Sequence, residues 1–139
     1  MPIESQYTTT IQTTIPSDFT DQYHILLTLP KIKPTSTTKS RIPITLFVSD
    51  TAQDPTFTSY TYTIPDRVRG DIYQTILNNS SEEILESNKK MSRIICKKFD
   101  IPVYLSLNCQ IDGFETVRVI KNVLDLIEGS FAKKEVADQ

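Results

Sequence analysis

Residues Ser59 to Arg67 read SYTYTIPDR, and the side of this stretch that faces the core decides how the rest of the chain is arranged. Threonine and tyrosine alternate until Pro65, with Asp66 beyond it in a turn-forming position. Period-two pleating sends Tyr60, Tyr62 and Ile64 to the same face as Thr58, and Ser59, Thr61 and Thr63 to the other. Set against an outward stacking platform, the preferred reading turns Tyr60 and Tyr62 toward the helices and leaves the hydroxyl set on the other face.

Working outward, six extended segments and two helices follow in the order β-β-β-β-β-α-β-α. The strands are expected at Tyr7 to Ile15, Tyr23 to Leu29, Ile42 to Asp50, Phe57 to Ile64, Arg69 to Leu77 and Pro102 to Cys109. Ile42, Ile44, Leu46 and Val48 share one face of the third segment, and Val103, Leu105 and Leu107 share one face of the sixth. The first helix is expected at the Asn/Ser cluster before Glu82, where Ser80 and Glu83 have capping-box spacing. Ile84, Met91, Ile95 and Phe99 form its apolar stripe; Lys89, Lys90, Arg93, Lys97 and Lys98 lie mostly off it. The second helix has Asp112 and Glu115 at the same capping spacing and Gly129 as its expected end. Val117, Ile120, Leu124 and Ile127 make one stripe there, and Val119, Val123 and Leu126 widen the apolar arc beyond what one sheet face needs. The fold class is α+β: a six-stranded, mainly antiparallel sheet with two helices on one face. Residues 1–139 form a single domain, with 31–41 (KIKPTSTTKSR) a polar loop and 130–139 a frayed tail.

Composition narrows the function. The formal net charge is −2 and the pI about 5.4, which argues against a general nucleic-acid binder. Three glycines (Gly70, Gly113, Gly129) build no glycine-rich phosphate loop. No apolar run reaches membrane-spanning length, and MPIESQYTTT lacks the charged start and apolar core of a signal peptide. The expected location is the cytoplasm, with diffusion into the nucleus open to a chain of this size. Cys96 and Cys109 belong to no CxxC pair and are read as buried thiols.

Catalytic constellations are hard to assemble. The chain has one histidine, His24, inside an expected strand with no activating neighbour in sequence. No H-x-x-H or C-x-x-C spacing nominates a metal site. Glu82, Glu83 and Glu86 suit the first turns of a helix, and Asp66, Asp71 and Asp112 suit turns or caps. The reading is therefore of a non-catalytic protein without cofactor or metal. Tyrosines on a sheet near Arg67 and Arg69 also suit a single-strand nucleic-acid platform, but the acidic balance and the lack of a Gly/aromatic RNA-binding motif count against it.

Two helices cover one face of such a sheet. The other face is left with Leu26, Phe47 and Tyr104 as apolar anchors among Thr28, Thr45, Thr61 and Ser106. A surface of that kind suits a partner sheet, so the pattern predicts a dimer-forming module. Val119, Val123 and Leu126 of the broad helical arc are the alternative partner patch.

Four stretches taken together, RIPITLFV (Arg41 to Val48), SYTYTIPDR (Ser59 to Arg67), MSRIICKKFDIPVYLSLN (Met91 to Asn108) and VIKNVLDLIE (Val119 to Glu128), resemble the proteasome assembly chaperone 4 family, in particular its fungal members. The resemblance spans roughly Tyr23 to Glu128. It implies a six-stranded antiparallel sheet with two helices and a chaperone that pairs with proteasome assembly chaperone 3. It further implies that the pair binds α-subunits of the 20S proteasome, the α5 subunit directly, orders the α-ring, and leaves before the particle matures. Arg67, Arg69 and the 31–41 loop are the candidates for the α-subunit contact. An α+β adaptor serving another complex is the competing reading with the same architecture.

Overall fold

The computed structural model describes residues 8–16, 22–31, 42–50, 58–66, 68–111 and 113–137. Its elements are strands β1 (Thr8–Pro16), β2 (Gln22–Pro30), β3 (Ile44–Ser49), β4 (Ser59–Pro65) and β5 (Ile72–Asn79), helix α1 (Glu82–Phe99), strand β6 (Val103–Leu107) and helix α2 (Gly113–Ala137). Tyr7, Phe57, Arg67, Asp112, most of the 31–41 loop and the last two residues lie outside the described residues.

The six strands form one sheet in the order β1-β2-β3-β6-β4-β5. Strands β1, β2 and β3 run as an antiparallel meander, and β4 and β5 form an antiparallel hairpin. Strand β6 enters between these two units, parallel to β3 and antiparallel to β4. A parallel neighbour requires a long crossover, which α1 completes by returning the chain from β5 to the middle of the sheet. The architecture is thus the expected one, with a single parallel pair.

Both helices cover the same face. Ile25, Leu27, Leu29, Ile44, Leu46, Val48, Val103, Leu105 and Leu107 point into the core, where Met91 and Ile95 of α1 and Val119, Val123 and Ile127 of α2 meet them. Cys96 and Cys109 are free and buried. Burial pushes the Cys96 thiol up to about 11 and the Cys109 thiol up to about 12, so neither forms thiolate near neutrality.

The interior phase of β4 is the reverse of the expectation. Thr61 stands opposite Leu105 and Thr63 opposite Val103, and residues directly opposite one another share a face. Because Val103, Leu105 and Leu107 must face the core, Ser59, Thr61 and Thr63 face it too, and all three are fully buried. Asn88 of α1 makes this tolerable. Its amide donates to Ser59 Oγ (2.9 Å) and to the Leu105 carbonyl (3.0 Å), and its carbonyl accepts from Thr61 Oγ1 (2.7 Å). Gln74 of β5 extends the seam by donating to the Lys89 carbonyl (2.9 Å) and Ser92 Oγ (3.0 Å). Every buried side-chain nitrogen and oxygen among the described residues has a partner.

The helix ends also differ from expectation. Ser81, not Ser80, caps α1: its backbone is extended and its hydroxyl accepts from Ile84 N–H. Ser80 is unavailable because its N–H bonds the Thr58 carbonyl at 2.8 Å, while the Glu83 carboxylate accepts from Gln110. Asp100 ends the helix with a left-handed backbone, φ 55°, a conformation that aspartate adopts more readily than most residues. Helix α2 does not stop at Gly129 but runs through the segment read as a tail as far as Ala137. Phe131 explains this: it is buried and packs edge-on against Phe99, with ring centroids 6.1 Å apart. Burying that ring outweighs the roughly 1 kcal/mol helix penalty of a glycine.

Asn88→Ala should cost about 2–4 kcal/mol, because Ser59, Thr61 and the Leu105 carbonyl would lose their partner in a dry seam; denaturant unfolding measures this, and a loss under about 0.5 kcal/mol would contradict the seam's role. At about pH 8 neither cysteine of the folded chain should react with a disulfide-type thiol reagent on the timescale that labels both in denaturant.

Candidate partner-binding face

Among the described residues both helices lie on one side of the sheet, and the residues of the other side align in rows across the strands. One row runs Gln12, Leu26, Phe47, Ser106, Tyr60, Asn78, each directly opposite the next. The adjacent row runs Thr10, Thr28, Thr45, Tyr104, Tyr62, Thr75. Tyr104 and Tyr62 stack with centroids 4.2 Å apart and planes 17° from parallel, and Tyr60 tilts toward Tyr104 at 6.0 Å. Ser106 is fully buried between Phe47 and Tyr60 and donates to Asn108. Thr10 and Thr28 share a hydrogen bond at 3.3 Å. Ile64 and Tyr73, also opposite each other, extend the apolar surface at the β5 end.

No strand of the sheet contains a lysine, arginine, aspartate or glutamate. A sheet face meant for water normally alternates apolar-in with charged or strongly polar out. Here the outward set is uncharged: threonine, tyrosine, phenylalanine and leucine, with Gln12, Ser106 and Asn78 in the first row and Leu26 at 41% exposure. This composition, aromatic-rich and depleted of charge, is that of the core of a protein interface. Burial raises the Tyr60 and Tyr62 hydroxyl pKa values above the phenol range, with the neighbouring Tyr104 adding to both shifts. Both rings are therefore neutral donors at physiological pH.

Of the residues singled out in the sequence, Leu26, Phe47 and Tyr104 lie together on this open face. Tyr60 and Tyr62 join them, against the expectation that they point inward. The alternative patch is not available: Val119 and Val123 are fully buried in the core, and Leu126 is half-buried against it. The broad arc of α2 is used within the chain, because α2 lies over the β1–β2 half of the sheet. There the buried Glu115 carboxylate accepts from Tyr23 Oη and from Arg118, whose guanidinium also donates to the Pro16 carbonyl. Leu126 borders an open groove of about 270 Å³ beside Ile15 and Pro16. Val117, placed in the buried stripe by spacing, is 68% exposed; it lies about 100° around the helix from the centre of the buried arc, where the buried Thr116 and Glu115 take the inward positions. Arg69 is exposed in the β4–β5 turn, which Gly70 closes with φ +75° and an N–H to the Asp66 carbonyl at 2.7 Å. It lies apart from the rows.

His24 stands in register with Thr14 and Ser49, neither of which activates an imidazole. Among the described residues no three His, Cys, Asp or Glu side chains gather in a metal-holding group, and no helix is long and apolar enough to cross a membrane. The outward tyrosines meet one requirement of a nucleic-acid platform, but two of the rings are stacked on each other and no cation stands on the strands beside them.

Tyr62→Asp should leave thermal unfolding within a few degrees of the unchanged chain, whereas Val123→Asp, which buries a charge, should cost about 4 kcal/mol or more and abolish cooperative unfolding. Equal tolerance of both would contradict the assignment of the two faces.

Residues 5–128 match the model of the family described as 20S proteasome chaperone assembly proteins 3 and 4. Among curated proteins none matches. A chain from the crystal structure of a novel chaperone complex for yeast 20S proteasome assembly shares the fold, with a TM-score of 0.74 at 22% identity, covering 91% of this chain and 99% of that one. Because that match takes in most of the chain, the chain belongs to the family of 20S proteasome chaperone assembly proteins 3 and 4.

Proposed function

We propose that the chain acts as the chaperone 4-type member of this family, pairs with proteasome assembly chaperone 3 through the open sheet face, and as a heterodimer binds α-subunits of the 20S proteasome, the α5 subunit in particular, to promote α-ring assembly. The observation that carries the pairing is the uncharged sheet with its two rows anchored by Leu26, Phe47, Tyr60, Tyr62 and Tyr104. Such a face would bury well against a second sheet about 10 Å away. The assignment to the chaperone 4 type rests on the four resembling stretches. The solved relative, which comes from a chaperone complex for yeast 20S proteasome assembly, supports a function exercised within a complex.

The mechanism is binding without catalysis or cofactor. A permanent pairing surface is expected to be large and apolar, and a client contact that must later release is expected to be more polar. The site of action is the cytoplasm, with access to the nucleus. The same fold would serve an adaptor for another assembly, and only the partners distinguish the two.

Phe47→Asp tests the face, because it places a charge in the centre of the row without touching the core. Co-expressed with proteasome assembly chaperone 3, the variant should remain folded and fail to co-purify, a loss of at least about 100-fold in affinity. Unchanged pairing would overturn the open-face assignment. Normal pairing by the unchanged chain but no binding of α-subunits would favour the adaptor.

A further inference from the structure

We propose that the outer side of helix α1 carries the client contact, with Lys90, Arg93 and Lys97 docking an acidic surface patch of the proteasome α-subunit; this rests on the function proposed above. At positions i, i+3 and i+7 the three side chains fall within an arc of about 60° and span about 10 Å along the helix. All three are exposed. Their neighbours are differently placed: Lys89 pairs with Glu86 (3.8 Å) and Lys98 with Glu128 of α2 (3.0 Å). Among the described residues no carboxylate lies within ion-pair distance of Lys90, Arg93 or Lys97, in a chain whose acidic residues outnumber its basic ones by 17 to 15.

Helix energetics account for only part of this row. Lys97 and Lys98 occupy the last turn, where cations complement the helix dipole, but that benefit fades within one turn and does not reach Lys90 or Arg93. Like charges at i,i+3 (Lys90, Arg93) and i,i+4 (Arg93, Lys97) repel and weaken the helix slightly. The row is thus uncompensated among the described residues. It also lies on the layer that stays outward when the sheet face is covered by the partner, so a third protein can reach it. Polar, charge-guided contacts form quickly and weaken with ionic strength, as a client contact that must release requires. A nucleic acid is the poorer fit: the row offers three cations, and α1 holds no aromatic residue besides the buried Phe99, short of the charged groove with stacking rings that single strands use.

The test uses the full chain co-purified with proteasome assembly chaperone 3 and immobilised recombinant α5 subunit. In the triple variant Lys90→Glu/Arg93→Glu/Lys97→Glu the heterodimer should form normally, while its affinity for the α5 subunit at about 50 mM salt falls at least tenfold, mainly through a slower on-rate. Raising salt to about 300 mM should weaken the unchanged pair and bring the two closer together. The glutamine variants at the same three positions should be intermediate, and circular dichroism melts should agree within a few degrees. Equal binding by the triple variant and the unchanged pair would overturn the proposal, as would a loss produced by Arg69→Glu and not by the α1 changes. Tight binding of a fluorescent single-stranded 20-mer that the triple variant abolishes, with α5 binding intact, would reassign the row to nucleic acid. An unchanged pair that does not bind the α5 subunit at any salt would instead refute the function proposed above, and this contact with it.

Discussion

The insertion of β6 between β3 and β4 is the constraint on which the rest of the structure depends. Its five residues are in register with a parallel strand on one side and an antiparallel strand on the other. Val103, Leu105 and Leu107 therefore set which side of both neighbours is the inside. Once Leu105 lies opposite Leu46 and Thr61, the two cross-sheet rows on the far face follow by alternation. Tyr104 and Tyr62 meet because Val103 and Thr63 are both buried. The same register obliges α1 to supply a buried amide, Asn88, at the position where Ser59 and Thr61 turn inward.

That obligation marks where the sequence stops being legible. Strands β3 and β6 announce themselves, since Ile44, Leu46 and Val48 or Val103, Leu105 and Leu107 leave no ambiguity about the inner face. Strand β4 offers tyrosine against threonine, and side-chain area alone chooses tyrosine for the interior. What reverses the choice is a hydrogen-bonded seam assembled from α1, β4, β5 and β6, residues up to 48 apart in sequence. Nothing local distinguishes Asn88 from a surface asparagine before the helix is docked. The cap at Ser81 and the passage of α2 through Gly129 have the same character. A backbone bond to Thr58 and the burial of Phe131 against Phe99 decide them, and both are tertiary events.

For the candidate site the outcome is similar. Leu26, Phe47 and Tyr104 were readable because each interrupts the polar set of an otherwise clear strand. Tyr60 and Tyr62 were missed with the phase of β4, so the aromatic cluster at the centre of the face became visible only with the register. The apolar arc of α2 reads as a partner surface because it is broader than one sheet face needs. In the fold it meets the sheet along Val119, Val123 and Ile127 and reaches Phe99 through Phe131. The two sides of the molecule differ in charge more than in hydrophobicity: the strands carry no charged residue, while the outer surface of the helices carries many. This separation gives the molecule two unlike surfaces, one suited to lasting apolar contact and one to reversible ionic contact.

The most direct measurement of the central claim is side-chain footprinting by hydroxyl radicals, read by mass spectrometry, on the chain alone and paired with proteasome assembly chaperone 3. Pairing through the sheet face away from the helices requires strong protection at Leu26, Phe47, Tyr60, Tyr62 and Tyr104, with Val117 on the helical side unchanged. Protection at Val117 and along the helices, with the tyrosine cluster as reactive in the pair as in the single chain, would contradict it.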